Sequence, residues 1–288
     1  MDAQIRFRLA SDINAAIRSI SWPNSYQEPD YVAKLVTTLP GVIKTSLRNL
    51  LPRRNIKVGG AFIHQKPLAH FVNPTYNRLP SPELGDLLVV CRELRASGFV
   101  YNALLLQAKC VKDVYHSTIP MDHQFLLYSK WPTFIYARAG ALNGVRRSVY
   151  PKTITQGAKY LLIDKNAPSY VFTATVNNPL EGETPFPCEL ASVIAFDRGR
   201  TFRFGHPRDM WSKLICDLLE VSAHAKFNRR HQNFNDEDRF QGDKFFELFL
   251  NEEEYDIPII DDVDEEGIVS GVSVICVDLG QDKSSKED

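Results

Sequence analysis

Residues 85–111 read GDLLVVCRELRASGFVYNALLLQAKCV. Two apolar, partly β-branched runs, GDLLVVCREL and NALLLQAKCV, flank the turn-forming segment RASGF, and this pattern predicts two neighbouring strands. A third run, AFIHQKPLAHFV (61–72), precedes them across the turn-rich NPTYNRLPSPEL, and it too reads as a strand. Upstream of Gly59 and Gly60 the period changes. Val32, Leu35, Val36, Leu39, Val42, Ile43, Leu47 and Leu50 recur at helical spacing over residues 28–51. Pro40 falls inside that pattern and predicts either two helices or one kinked helix.

Downstream, PMDHQFLLYS (120–129) predicts a helix with Pro120 at its start, and WPTFIYA (131–137) an extended segment. YLLIDKN (160–166), YVFTATVN (170–177) and LASVIAFDR (190–198) read as strands, with NNPLEGETPFPCE as a surface loop. DMWSKLICDLLEVSAHAKF (209–227) has the apolar spacing of an amphipathic helix, and GVSVICVDLG (271–280) reads as a last strand. The mix of helices and strands predicts an α/β or α+β fold, with α/β the first choice, residues 1–250 as the main domain and 251–288 as an acidic C-terminal segment carrying the final strand.

The chain has 288 residues, 44% of them apolar and 24% charged, within the range of a globular protein. No stretch of membrane-spanning length is continuously apolar, and MDAQIRFRLASD has charges where an export signal needs an apolar core. A cytoplasmic location without membrane association is therefore expected. Five scattered cysteines contain no CxxC pair, and no two histidines stand four apart, which argues against zinc sites and a disulfide framework. P-loop, GxSxG and GxGxxG strings are absent, and DDVDEE lacks the glycine and ligand spacing of a calcium loop.

Residues 251–288 hold 13 acidic and two basic side chains, leaving 22 acidic and 32 basic in residues 1–250. The body is thus +10 and the tail −11. A basic body suits a polyanionic partner, and an acidic tail can shield it, although surplus lysine and arginine also simply keep a fold soluble. The densest basic groups are Arg53, Arg54 and Lys57, then Arg146 and Arg147, then Lys226, Arg229, Arg230 and His231. The last cluster is the leading candidate for phosphate contacts.

The chemistry-bearing residues sit at strand ends. Asp86 begins one strand and Gln107-Ala108-Lys109 ends the other, so adjacent pairing brings them to one end of a sheet. Asp86 is a hard anionic ligand for magnesium, while the Gln107 amide oxygen and a main-chain carbonyl can add to an oxygen shell. Lys109 shares a strand face with Gln107 and can orient or help deprotonate an attacking water, or stabilise charge on a phosphate. Glu83 is an auxiliary acid or a solvated loop carboxylate. His64, Gln65 and Lys66 lie on the first strand, whose end can approach the same place. Each residue also has an ordinary reading: Asp86 as a turn residue, Lys109 as an edge lysine, Tyr128 as a core aromatic. Their joint spacing favours the site.

With Asp86 and Gln107-Ala108-Lys109 placed as D-(E/Q)xK, the sequence resembles the PD-(D/E)XK, or restriction-endonuclease-like, nucleases, in the glutamine form of the Mrr-like branch. Gln124 and Tyr128 match the QxxxY element of RecB-like exonucleases; four apart, they share a helix face and can reach the site or the substrate backbone. The resemblance covers residues 28–165 and implies an αβββαβ core with a mixed sheet flanked by helices and C-terminal elaborations. It implies a Mg2+ or Mn2+ ion held by Asp86, Gln107 and the Ala108 carbonyl, with Glu28 as an acid from the first helix. It further implies hydrolysis of nucleic acid, DNA in the first place, and a bacterial or phage setting of restriction or antiviral defence with a helicase, ATPase or sensor partner. Neutral Gln107 removes one negative charge from the metal site and weakens divalent binding, which keeps open a non-catalytic nucleic-acid-binding or assembly subunit. A scaffold for an acidic protein is the third reading.

Overall fold

The computed structural model describes residues 1–22, 25–63, 66–119, 122–204, 209–227, 242–250 and 271–281. Two helices come first. Helix α1 (Ala3–Ser19) starts at Asp2, whose carboxylate accepts the Ile5 N–H at 2.8 Å. Leu9, Ala10, Ile13, Ala16 and Ile17 are buried along one side of it, with Leu9, Ile13 and Ile17 four apart. Helix α2 (Glu28–Leu50) is one continuous element with Pro40 inside it. Tyr31, Val32, Leu35, Val36, Leu39, Ile43 and Leu47 are buried along one face, and that burial offsets the hydrogen bond lost at the proline.

The strands and later helices follow in order: β1 (Lys57–Ala61), β2 (Leu68–Phe71), β3 (Leu87–Arg95), β4 (Gly98–Val111), α3 (His123–Lys130), β5 (Phe134–Ala137), β6 (Arg146–Arg147), β7 (Ala158–Asp164), β8 (Val171–Ala174), β9 (Thr184–Pro185), α4 (Phe186–Ile194), β10 (Arg200–Phe202), α5 (Met210–Phe227), α6 (Gly242–Leu250) and β11 (Ser273–Asp278). Eight of the described strands form one sheet in the order β1-β11-β3-β4-β7-β8-β9, with β10 also on β4; β2, β5 and β6 form a small second sheet. In the large sheet β11 with β3 and β4 with β7 run parallel, and the other pairs antiparallel. Helices α1, α2 and α4 cover one face over Leu87, Leu104, Leu106, Ile163 and Ile275. Helices α3, α5 and α6 cover the other over Leu88, Ala103, Leu105, Tyr160 and Cys276. This is an α/β protein with a mixed eight-stranded sheet flanked by helices.

Three sequence expectations change. The run 61–72 is not one strand: β1 ends at Ala61 and β2 begins at Leu68 in the other sheet. Pro67 between them has no N–H to give a ladder. LASVIAFDR is mostly helix, since α4 starts within the expected loop and buries Phe186, Leu190, Ala191, Val193 and Ile194; short apolar runs do not distinguish the two periods. Helix α3 begins after Asp122, whose carboxylate accepts from Gln124 N at 2.9 Å and Phe125 N at 3.1 Å. Pro120, the expected start, lies outside the described residues. The expected last strand is present as β11, and it lies inside the sheet between β1 and β3. None of the five cysteines is in a disulfide. No described helix is long and apolar enough to cross a membrane.

Candidate active site

Strand β4 outruns its neighbour. Leu87, the first residue of β3, pairs with Leu106, and β4 continues to Val111. Backbone groups of the overhang that face β3 therefore need other partners. Two carboxylates supply them. Asp86 Oδ2 accepts the Ala108 N–H at 2.7 Å, and Glu28 Oε1, from the first turn of α2, accepts the Cys110 N–H at 3.0 Å. The two anchored amides are two residues apart, roughly 7 Å along a strand. Because the N–H and C=O of one strand residue face the same side, the Ala108 carbonyl also faces the Asp86 side.

Asp86 and Gln107 meet directly, the Gln107 Nε2 amide donating to the same Oδ2. Both are buried. With its nitrogen so engaged, Gln107 Oε1 is buried without a protein partner among the described residues. The Tyr160 hydroxyl, opposite Gln107 on β7, is another such orphan. Lys109 is half-buried, makes no hydrogen bond to a described residue, and its charge acts on Asp86. Asp86, Gln107 and Lys109 thus share one sheet face, as their spacing predicts.

Burial raises Asp86 from the usual 3.8 to about 6, against the attraction of the Lys66 charge and with a further push from Glu83. Lys66, expected on the first strand, lies between β1 and β2 and is itself buried; its Nζ donates to the Ile63 carbonyl at 2.6 Å. Burial lowers its pKa, while Asp86 and Glu83 act in the opposite direction. Ser273, at the start of β11, closes this corner: its N–H reaches the Asp86 carbonyl at 3.3 Å, and its hydroxyl bonds both main-chain groups of Ile63. Ser273 is beyond sequence reasoning, because only strand order brings residue 273 beside residue 86.

Helix α3 steadies the approach to Asp86. Tyr128 OH donates to the Leu84 carbonyl at 2.9 Å and Gln124 Nε2 to the Glu83 carbonyl at 3.1 Å. Gly85 lets the chain pass close to both, since a Cβ there would lie 2.7 Å from Leu105 Cδ1 and 3.0 Å from Tyr128 OH and those side chains would have to shift. Of the two roles open to Gln124 and Tyr128, the geometry shows the hydrogen bonds to the site; both are buried, with these donors turned inward. The Glu83 side chain is exposed and touches Asp86 only through its charge.

The basic groups are largely committed elsewhere. Arg54 pairs with Glu93 at 2.6 Å, Lys57 lies 3.9 Å from Glu247, and Arg147 binds Asp217 at 2.6 Å, beside the Tyr136 hydroxyl on the same carboxylate. Arg53 and Arg146 are exposed. Lys226 belongs to α5, but Arg229, Arg230 and His231, like His64 and Gln65, lie outside the described residues.

Among the described residues no three His, Cys, Asp or Glu side chains group to hold a metal ion. The oxygen set present is of another kind: one carboxylate, one orphaned amide oxygen and one main-chain carbonyl. That set suits a hard, weakly held divalent cation such as magnesium or manganese and not zinc. Comparison with protein-family models, with curated proteins and with solved structures finds no match to this chain.

Proposed function

We propose that this protein is a metal-dependent phosphodiesterase acting on nucleic acid, DNA in the first place, on a restriction-endonuclease-like αβββαβ core. The observation that carries the reading is the meeting of Asp86, Gln107 and Lys109 on one face at the ends of adjacent antiparallel strands, with Glu28 on the same overhang. The order α2, β1, β3, β4, α3, β7, with β4 parallel to β7, supports it; β11 is then an addition between β1 and β3.

Asp86, Gln107 through its amide oxygen and Ala108 through its carbonyl would hold Mg2+ or Mn2+, which supplies positive charge to the scissile phosphate. Asp86 must be ionised for that, and its raised pKa sets protons in competition with the metal, so metal affinity falls as pH drops. Lys109 orients the attacking water and offsets negative charge on the phosphate as the water oxygen bonds to phosphorus and one ester P–O bond breaks.

The test is cleavage of linear and circular DNA, single-stranded DNA and RNA by wild type and Lys109→Ala, with magnesium, manganese or chelator. Metal-dependent cleavage reduced about a hundredfold or more in the variant is expected, and circular DNA separates endonuclease from exonuclease action. One observation favours a second reading, a non-catalytic nucleic-acid-binding or assembly subunit: Asp86 is the one carboxylate of the inner set, and Gln107 spends its amide on it. Salt-dependent binding without cleavage by folded wild type would establish that alternative. A helicase, ATPase or sensor partner in restriction or antiviral defence is part of the proposal.

A further inference from the structure

Three cationic side chains are fully buried among the described residues, and they are not treated alike. Arg92 is paired with Asp278 and Glu247, both at 2.5 Å, and Lys159 with Glu189 at 2.9 Å. Lys66, only 4% exposed, has no carboxylate within 4.0 Å among the described residues; its hydrogen bond goes to the neutral Ile63 carbonyl. A buried ammonium without a counter-ion is costly, and this one stands where its field reaches Asp86 and Glu83. A carboxylate at position 107 would offset that charge at close range, whereas neutral Gln107 does not. Lys66 and Lys109 face Asp86 at the inner site, and the exposed Glu83 carboxylate acts on Lys66 and Asp86 from outside it.

We propose that Lys66 is the built-in counter-charge for an anionic ligand, a phosphodiester group drawn to the ends of β3 and β4. This deepens the phosphodiesterase reading and rests on it for the identity of the ligand. The burial that makes the lone charge costly also leaves its field unscreened by water, so it acts on a docking phosphate more strongly than an exposed lysine would. The anchor through Ile63 and Ser273 fixes it in advance.

Lys66→Met keeps the length and removes the charge. Fluorescence anisotropy with a fluorescein-labelled DNA duplex and its single strand, in chelator and across a salt series, compares it with wild type. The expected result is a Kd raised about tenfold or more, a salt slope smaller by about one, and a thermal midpoint no lower than wild type, since an unpaired buried charge has been removed. Competition by inorganic phosphate in wild type but not in the variant would show that the phosphate group itself is held.

Unchanged affinity and salt slope in the variant would overturn the proposal. So would weaker binding with an unchanged slope and a lowered midpoint, which marks a structural lysine, or a wild type that binds neither DNA form. The two readings fail separately. Lys66-dependent binding without cleavage removes the nuclease and keeps the anion site; cleavage with KM and salt slope untouched by Lys66→Met does the reverse.

Discussion

Asp86 sets its ionised form against the stability of the fold. Its folded pKa of about 6 lies above the ordinary 3.8, so its favourable contribution is complete below about pH 4 and is lost as pH rises through 6. Both hydrogen bonds it accepts go to one oxygen, Oδ2, which an asparagine carbonyl can replace. Asp86→Asn is therefore expected to stabilise the protein at pH 8 by on the order of 3 kcal/mol, with the advantage shrinking between pH 6 and 4. Urea midpoints of both proteins across that range would read it. A constant difference at all pH values, or a destabilised variant, would refute the electrostatic account. The same substitution should abolish metal-dependent cleavage, because a neutral amide is a poor substitute for the one inner carboxylate. Among single residues, Asp86, Gln107 and Lys109 were legible in the sequence because strand alternation and a short turn fix their relative placement.

At the scale of elements, α3 is a short helix that positions the chain ahead of Asp86 through Gln124 and Tyr128. Its start depends on Asp122, whose carboxylate takes the Gln124 and Phe125 amides. Asp122→Ala should cost about 1 kcal/mol, measured as a lowered urea midpoint, whereas Asp122→Asn should keep most of the stability. Equal midpoints for the two variants would show that the cap does not hold the helix. Helix α3 was legible from its i,i+4 pair and α5 from its amphipathic spacing. Helix α4 was not, since its apolar run suits either period and its burial against the sheet decides between them. Helix α1 packs on α2 and α4, with Leu9, Ile13 and Ile17 at helical spacing on its buried side.

For the whole molecule the decisive element is β11. It pairs with β1 on one side and β3 on the other, and all six of its residues are buried. Removing residues 271–288 would leave two interior strand edges unpaired, so a chain ending at 270 is expected to be insoluble or to lack a cooperative thermal transition, while one ending at 281 folds. A cooperative transition in the shorter chain would show that β1 and β3 close without it. Shielding by the acidic segment therefore has to be tested by neutralising acidic residues within 251–266 and keeping β11 in place, with DNA affinity as the measurement.

The sequence by itself determined the period and approximate place of α2, β3, β4, β7, β8 and α5, and the pairing that puts Asp86 beside Gln107. Those features follow from local alternation, turn chemistry and short loops, which act within about 25 residues. The tertiary structure alone decided that residue 273 lies against residue 86, that Lys66 is buried with no acid within 4.0 Å among the described residues, that Arg54 and Arg147 are paired with carboxylates, and that the last strand is internal. Long-range pairing is chosen by the burial of whole faces, and no local pattern records which distant strand wins that place.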